Sequence, residues 1–175
     1  MLLDPESEQV REVFAHYGRA MYAAQCLEQS IFQHLVFFDL FPKTIAAYTT
    51  PENWAANFDG YEARELGQTM GKLIRRLQQV GQSTDAVERL LAQALKDRNW
   101  LAHGYFSDRA VEFTVLDGRL KMIGELETIS DHFFSCANEI DAVWLPVARA
   151  HGYSEEMAKR HEEELIAACI RRTAI

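Results

Sequence analysis

Val10-Arg11-Glu12-Val13-Phe14-Ala15-His16-Tyr17-Gly18-Arg19-Ala20-Met21 decides the fold class of this chain. Its larger apolar residues fall at Val10, Val13, Phe14, Tyr17 and Met21. The series runs on through Ala24, Leu27, Ile31, Leu35 and Phe38. Steps of three and four keep these side chains on one face of an α-helix, so the segment predicts a long amphipathic helix. Asp4 suits the N-cap and Pro5 the first helical position. The helix is expected to end before Pro42.

The same spacing recurs downstream. Thr50-Pro51-Glu52-Asn53 predicts a short helix start. Leu66, Met70, Leu73, Ile74 and Leu77 place a helix over about residues 61–80. A break at Gly81-Gln82-Ser83-Thr84 follows, then a capping box from Asp85 and Glu88. The helix it opens carries Val87, Leu90, Leu91, Ala94, Leu95 and Leu101, and stops near His103-Gly104. The period then changes. Val111, Phe113 and Val115 alternate with polar residues around Asp117-Gly118, which predicts a β-hairpin at about residues 110–123. Ile129, Phe133, Cys136, Ile140, Val143 and Val147 predict a helix over about residues 126–148. A last helix begins at Ser154 and carries Met157, Leu165, Ile166 and Cys169. The expectation is one mainly α domain over residues 1–175, an antiparallel helical bundle with a small inserted hairpin.

The chain has 175 residues, 48% apolar and 25% charged, a balance that suits one domain with a sizeable core. No run approaches the roughly 18 apolar residues of a membrane span, and the start lacks the basic and apolar regions of a secretory signal. Cys26, Cys136 and Cys169 are odd in number and widely spaced. They read as free thiols in a reducing, cytoplasmic compartment. His132 and Cys136 lie one helical turn apart, but two ligands do not make a metal site, and both read as core. No cofactor is expected. The net charge of −8 argues against a general nucleic-acid coating protein, so any RNA contact must rest on a local patch. Walker, GxGxxG, HExxH and GxSxG patterns are absent.

One segment carries chemistry: Asp97-Arg98-Asn99-Trp100-Leu101-Ala102-His103-Gly104-Tyr105-Phe106. Arginine stabilises phosphate charge, and histidine exchanges protons near neutral pH. Asn99 and His103, four apart, share a helical face. Arg98 and His103, five apart, do not. Convergence needs the arginine to reach around, the last turn to unwind at Gly104, or a second protomer to contribute. The last two together are expected. The spacing alone is weak, because Arg11 and His16 reproduce it. That copy lies inside the first helix, with no termination signal and with Glu12 directly after its arginine. Lys72, Arg75 and Arg76 form a basic row that could line an RNA path, and Tyr105 could stack on a base. Tyr17, Trp54, Trp100 and Trp144 read as core or interface.

Arg98-Asn99-x-x-x-His103, followed by Gly104, resembles the motif of the HEPN superfamily. The sharp resemblance covers about residues 97–106, and the remainder agrees in architecture. The resemblance implies a helical bundle that dimerises, so that two motifs form one cleft. It also implies a metal-independent endoribonuclease acting on single-stranded or looped RNA, of the toxin or defence type, with an antitoxin protein among its partners. In that scheme His103 is general base, Arg98 stabilises phosphoryl charge and Asn99 orients the imidazole or donates to the phosphate. The alternative is a non-catalytic module of the same fold that binds a nucleotide, RNA or a protein.

Overall fold

The computed structural model describes residues 4–45, 50–81 and 84–173. Gln82 and Ser83 of the expected break lie outside them. Among the described residues every regular element is a helix. Helix α1 spans Pro5–Leu35. Asp4 caps it by accepting hydrogen bonds from the Glu6 and Ser7 amides, as the sequence predicts. The helix does not stop before Pro42. It passes into a π-helical turn, Val36–Leu40, where the Phe41 amide reaches back to the Val36 carbonyl, and then into the short α2, Phe41–Thr44. Pro42 lies at the start of α2, where a missing N–H is tolerated.

Helix α3 (Pro51–Leu66) is capped by Thr50 and is far longer than the short helix expected there. The expected 61–80 helix is in fact two, because α3 ends at Gly67 and α4 covers Met70–Val80. A Cβ at Gly67 would come within 2.8 Å of the Ala63 carbonyl oxygen, so this corner depends on the missing side chain. Helix α5 is Asp85–His103, and Thr84 rather than Asp85 is its N-cap.

The β-hairpin does not form. Residues 105–113 make two single-turn helices, α6 (Tyr105–Asp108) and α7 (Ala110–Phe113). Helix α8 then runs unbroken over Leu116–Ala150. The Asp117-Gly118 pair that suggested a turn sits in the first turn of α8. The glycine is required there for another reason: a Cβ at Gly118 would fall 2.1 Å from the Glu112 carbonyl oxygen. Its role is close backbone approach between α7 and α8. The alternation of Val111, Phe113 and Val115 is not a strand pattern either. Phe113 packs edge-on against Phe14 and Phe106, while Val111 and Val115 face solvent. Helix α9, Glu155–Thr173, completes the chain.

The core forms where α1 meets α8. Val13, Leu27, Ile31 and Leu35 of α1 are fully buried, as are Leu126 and Phe133 of α8. Each large side chain so enclosed contributes about 1.5–3 kcal/mol by leaving water. Ala20, Ala23 and Ala24 are also buried, and their size lets the helices approach closely. Cross-links fix the direction of the pair: Arg119 to Gln9, His16 to Glu127, Arg19 to Asp131, and Phe37 stacked on Trp144. Residue numbers rise together along both helices, so α1 and α8 run parallel, unlike the neighbours of a simple antiparallel bundle. Helix α5 runs the other way against α8, with Asp97 at His132 and the following Tyr105 at Met122.

The π turn points Asp39 inward, where it is buried. It accepts hydrogen bonds from Lys43, Tyr61 (2.9 Å) and Arg76 (2.7 Å), tying α1 to α3 and α4. Burial alone would raise its carboxyl pKa. The Lys43 and Tyr61 hydrogen bonds and the Arg76 charge outweigh burial and hold it below the ordinary 3.8.

Three variants test these packing arguments. Gly118→Ala should cost about 1–3 kcal/mol in chemical denaturation because backbone stands in the way. Gly124→Ala, on the same helix with open space around it, should gain about 0.5–1 kcal/mol. For Asp39→Asn we expect a loss of about 1–3 kcal/mol at pH 7. The Asp39 pKa is lowered on folding, so its contribution is complete well above pH 3.8 and is lost as pH falls through the folded value. The gap between wild type and variant should therefore close on acidification.

Candidate functional site

Helix α5 carries the Arg98-Asn99-x-x-x-His103 motif in its last turns and stays helical through His103. The Gly104 amide still donates to the Trp100 carbonyl at 2.8 Å. The expected unwinding ahead of Gly104 does not occur. On an intact helix, five residues turn the chain through about 140° beyond a full turn, so Arg98 and His103 project from different faces.

Helix packing fixes their surroundings. Arg98 is half-buried, and its Nε lies 3.7 Å from Glu28 Oε1 on α1. Burial raises the Glu28 pKa and the Arg98 charge pulls it back. Asn99 and His103 are exposed. His103 makes no side-chain hydrogen bond to another described residue. His16, in the look-alike copy, is engaged at both ring nitrogens by the Glu12 carbonyl and by Glu127. The second copy is therefore structural, and the first keeps its imidazole available.

The segment after the motif is braced. Trp100 Nε1 donates to Asp108 at 2.8 Å, and the Arg109 guanidinium lies 4.8 Å over the Trp100 ring. Arg109 in turn forks onto Glu125 at 2.7 and 2.9 Å. Tyr17 of α1 donates to the Leu101 carbonyl. These contacts hold the helix end that presents His103.

The expected substrate-binding residues separate. Tyr105 is 1% exposed, and its hydroxyl donates to the Met122 carbonyl. Burial, with Glu125 nearby, pushes its phenol well above the ordinary range. It is a core residue with no free face for a base. Its neighbour Phe106 packs on Tyr17 and Phe14. Lys72 and Arg75 are exposed, but Arg76 turns inward to Asp39. Gly71 meets the Leu95 side chain, which sets the start of α4 beside α5 one turn before Arg98. Among the described residues, Lys72 and Arg75 make no hydrogen bond or ion pair with the motif, and the Arg75 Nε donates to the Gly71 carbonyl.

Two arrangements escaped the sequence reading. Asp97 Oδ2 stands 3.3 Å from His132 Nδ1, and His132 Nε2 is 3.5 Å from Cys136 Sγ. Gln93 donates to the other Asp97 oxygen at 2.8 Å. The His132–Cys136 spacing was legible, whereas Asp97 joins only through the α5–α8 contact. The line resembles a nucleophilic relay, but its thiol is unsuited to that role. Cys136 is 1% exposed, and burial pushes its pKa up to about 11. The line is a tie between helices. The second arrangement is a cavity beside Asp39. Its only sequence signal is one acid inside the apolar run Leu35-Val36-Phe37-Phe38-Asp39-Leu40-Phe41. Among the described residues no cluster of three His, Cys, Asp or Glu side chains could hold a metal ion, and no helix is long and apolar enough to cross a membrane.

No protein-family model matches the chain, and comparison with curated proteins and with solved structures gives no match.

The thiol assignments are testable with a coloured disulfide reagent. Cys169, which is exposed, should react within the first phase. Cys136 should react only at the rate of unfolding, or at once after denaturant is added.

Proposed function

We propose that this chain is a metal-independent endoribonuclease of the HEPN type, acting on single-stranded or looped RNA. The observation that carries the reading is the exposed imidazole of His103, which has no side-chain partner among the described residues, at a braced helix end one turn from Asn99. Neutral His103 takes the proton from a ribose 2′-OH. That oxygen attacks the adjacent phosphorus, the 5′-oxygen leaves, and a 2′,3′-cyclic phosphate forms. Arg98 stabilises charge on the phosphoryl oxygens once a phosphate displaces Glu28. Asn99 shares a face with His103 and, with substrate bound, orients the imidazole or donates to the phosphate.

Because Arg98 and His103 project from different faces of α5, the reading calls for a homodimer. His103 of a second copy would then protonate the leaving oxygen. The compartment is cytoplasmic in this reading. A toxin or defence role, with an antitoxin as partner, follows only from the resemblance of residues 97–106.

A second reading, a non-catalytic module that binds a nucleotide, RNA or a protein, draws on the net charge of −8 and the Glu28 contact to Arg98. One experiment separates the two. Single-stranded RNA is incubated with wild type, His103→Ala and Arg98→Ala in the presence of EDTA. Each variant should lose cleavage by about 10²-fold or more, with unchanged circular dichroism. Cleavage that survives His103→Ala would end the nuclease reading. RNA binding without cleavage by wild type would favour the module.

A further inference from the structure

Away from the motif, the π turn, α2, α3 and α4 line an open cavity of about 530 Å³. Asp39 and Glu28 are eleven residues apart, about 16 Å along the helix axis, so this cavity and the Arg98 neighbourhood are distinct. Its volume is that of an ordinary small-molecule site.

The chemistry of its wall is cationic. Lys43 comes from α2, Arg64 from α3 and Arg76 from α4. Two buried carboxylates oppose them. Asp39 receives Lys43 and Arg76, and Glu65 receives Arg64 Nε at 3.0 Å and Gln68. Three cations against two carboxylates leave one positive charge in excess, in a protein whose net charge is −8. A structural tie between helices needs no such excess.

The donors are also only partly used. Lys43 gives one of its three N–H groups to Asp39, and Arg64 bonds Glu65 through Nε, leaving its terminal amino groups. Both side chains are more than half exposed, at 67% and 61%, so these donors open onto the cavity mouth. Arg76 is more enclosed and forms the floor: its two terminal nitrogens give one N–H each, to Asp39 at 2.7 Å and to Gln79 at 3.2 Å, its Nε lies 3.9 Å from Glu65, and a second N–H remains on each terminal nitrogen. The Arg64 guanidinium rests 4.8 Å from the Tyr61 ring centre, which fixes its plane. Tyr61 is itself held by Asp39 at 2.9 Å. The π turn creates this geometry by carrying Asp39 inward, and such turns recur at functional sites.

We propose that this cavity binds a small ligand through a phosphate-monoester group, with Lys43 and Arg64 gripping it at the mouth and Arg76 from the floor. A planar carboxylate is satisfied by the fork of a single arginine. Donors converging from three helices suit a tetrahedral group, whose oxygens point in several directions and whose charge is near −2. The Asn57 amide, also on the wall, is placed to accept or donate to the rest of the ligand.

The test uses the full chain, isothermal titration and thermal denaturation, with inorganic phosphate and ribose 5-phosphate as probes and acetate at matched ionic strength as control. Both phosphates should bind saturably and raise the unfolding midpoint by mass action, while acetate does neither. Lys43→Ala and Arg64→Ala should each weaken binding about tenfold or more. Neither side chain is buried, so both variants should keep the wild-type circular dichroism. Arg11→Ala, an exposed arginine of α1 that pairs with Glu8 and Glu12 and lies outside both sites, should bind as wild type does. Absence of saturation, equal binding of acetate, unchanged affinity in either Lys43→Ala or Arg64→Ala, or loss of binding in Arg11→Ala would each overturn the proposal.

Discussion

The parallel contact of α1 with α8 is the constraint on which the other helices depend. Two stripes of apolar side chains close on each other, and buried alanines on α1 leave room for its neighbours. Once that pair is set, α5 can lie against both, and α3 and α4 fill the remaining side of α1. Both candidate sites are consequences of this arrangement. Glu28, which meets Arg98, and Asp39, which anchors the cationic cavity, stand on the same continuous α1–π segment.

The two sites differ in how their charges are used. At the motif, one arginine meets one carboxylate at 3.7 Å, and the histidine, on another face of the helix, has no side-chain partner among the described residues. That is a loose arrangement. At the cavity, buried Asp39 and Glu65 hold lysine and arginine donors in fixed directions. Such preorganisation lowers the ordering cost of binding. The buried Asp97–His132–Cys136 line is the contrasting case. Its geometry suggests chemistry, yet burial keeps the thiol protonated.

Glycine shows how a local signal can be read correctly as important and wrongly as a turn. Asp117-Gly118 followed an alternating run, which is the pattern of a hairpin. The structure needs Gly118 because the Glu112 backbone occupies the space of a side chain. The apolar alternation before it arose from Phe113 reaching the Phe14–Phe106 cluster, with valines left outside. Pro42 is similar: its missing N–H falls where the helix has already changed register, so the helix continues.

The sequence by itself determined the mainly helical class, most of the core stripe, the Asp4 cap, the stop at Gly104 and the place of Arg98, Asn99 and His103 in the last turns of α5. These rest on spacings of one to four residues, which a helix converts directly into shared faces and satisfied ends. The tertiary structure alone decided the parallel course of α1 and α8, the burial of Tyr105 and the inward turn of Arg76. It also decided the meeting of Asp97 with His132 and the cavity around Asp39. Each of these joins residues more than a dozen positions apart. No local period records which distant partner will satisfy a buried charge or hydroxyl, and only the packed helices choose it.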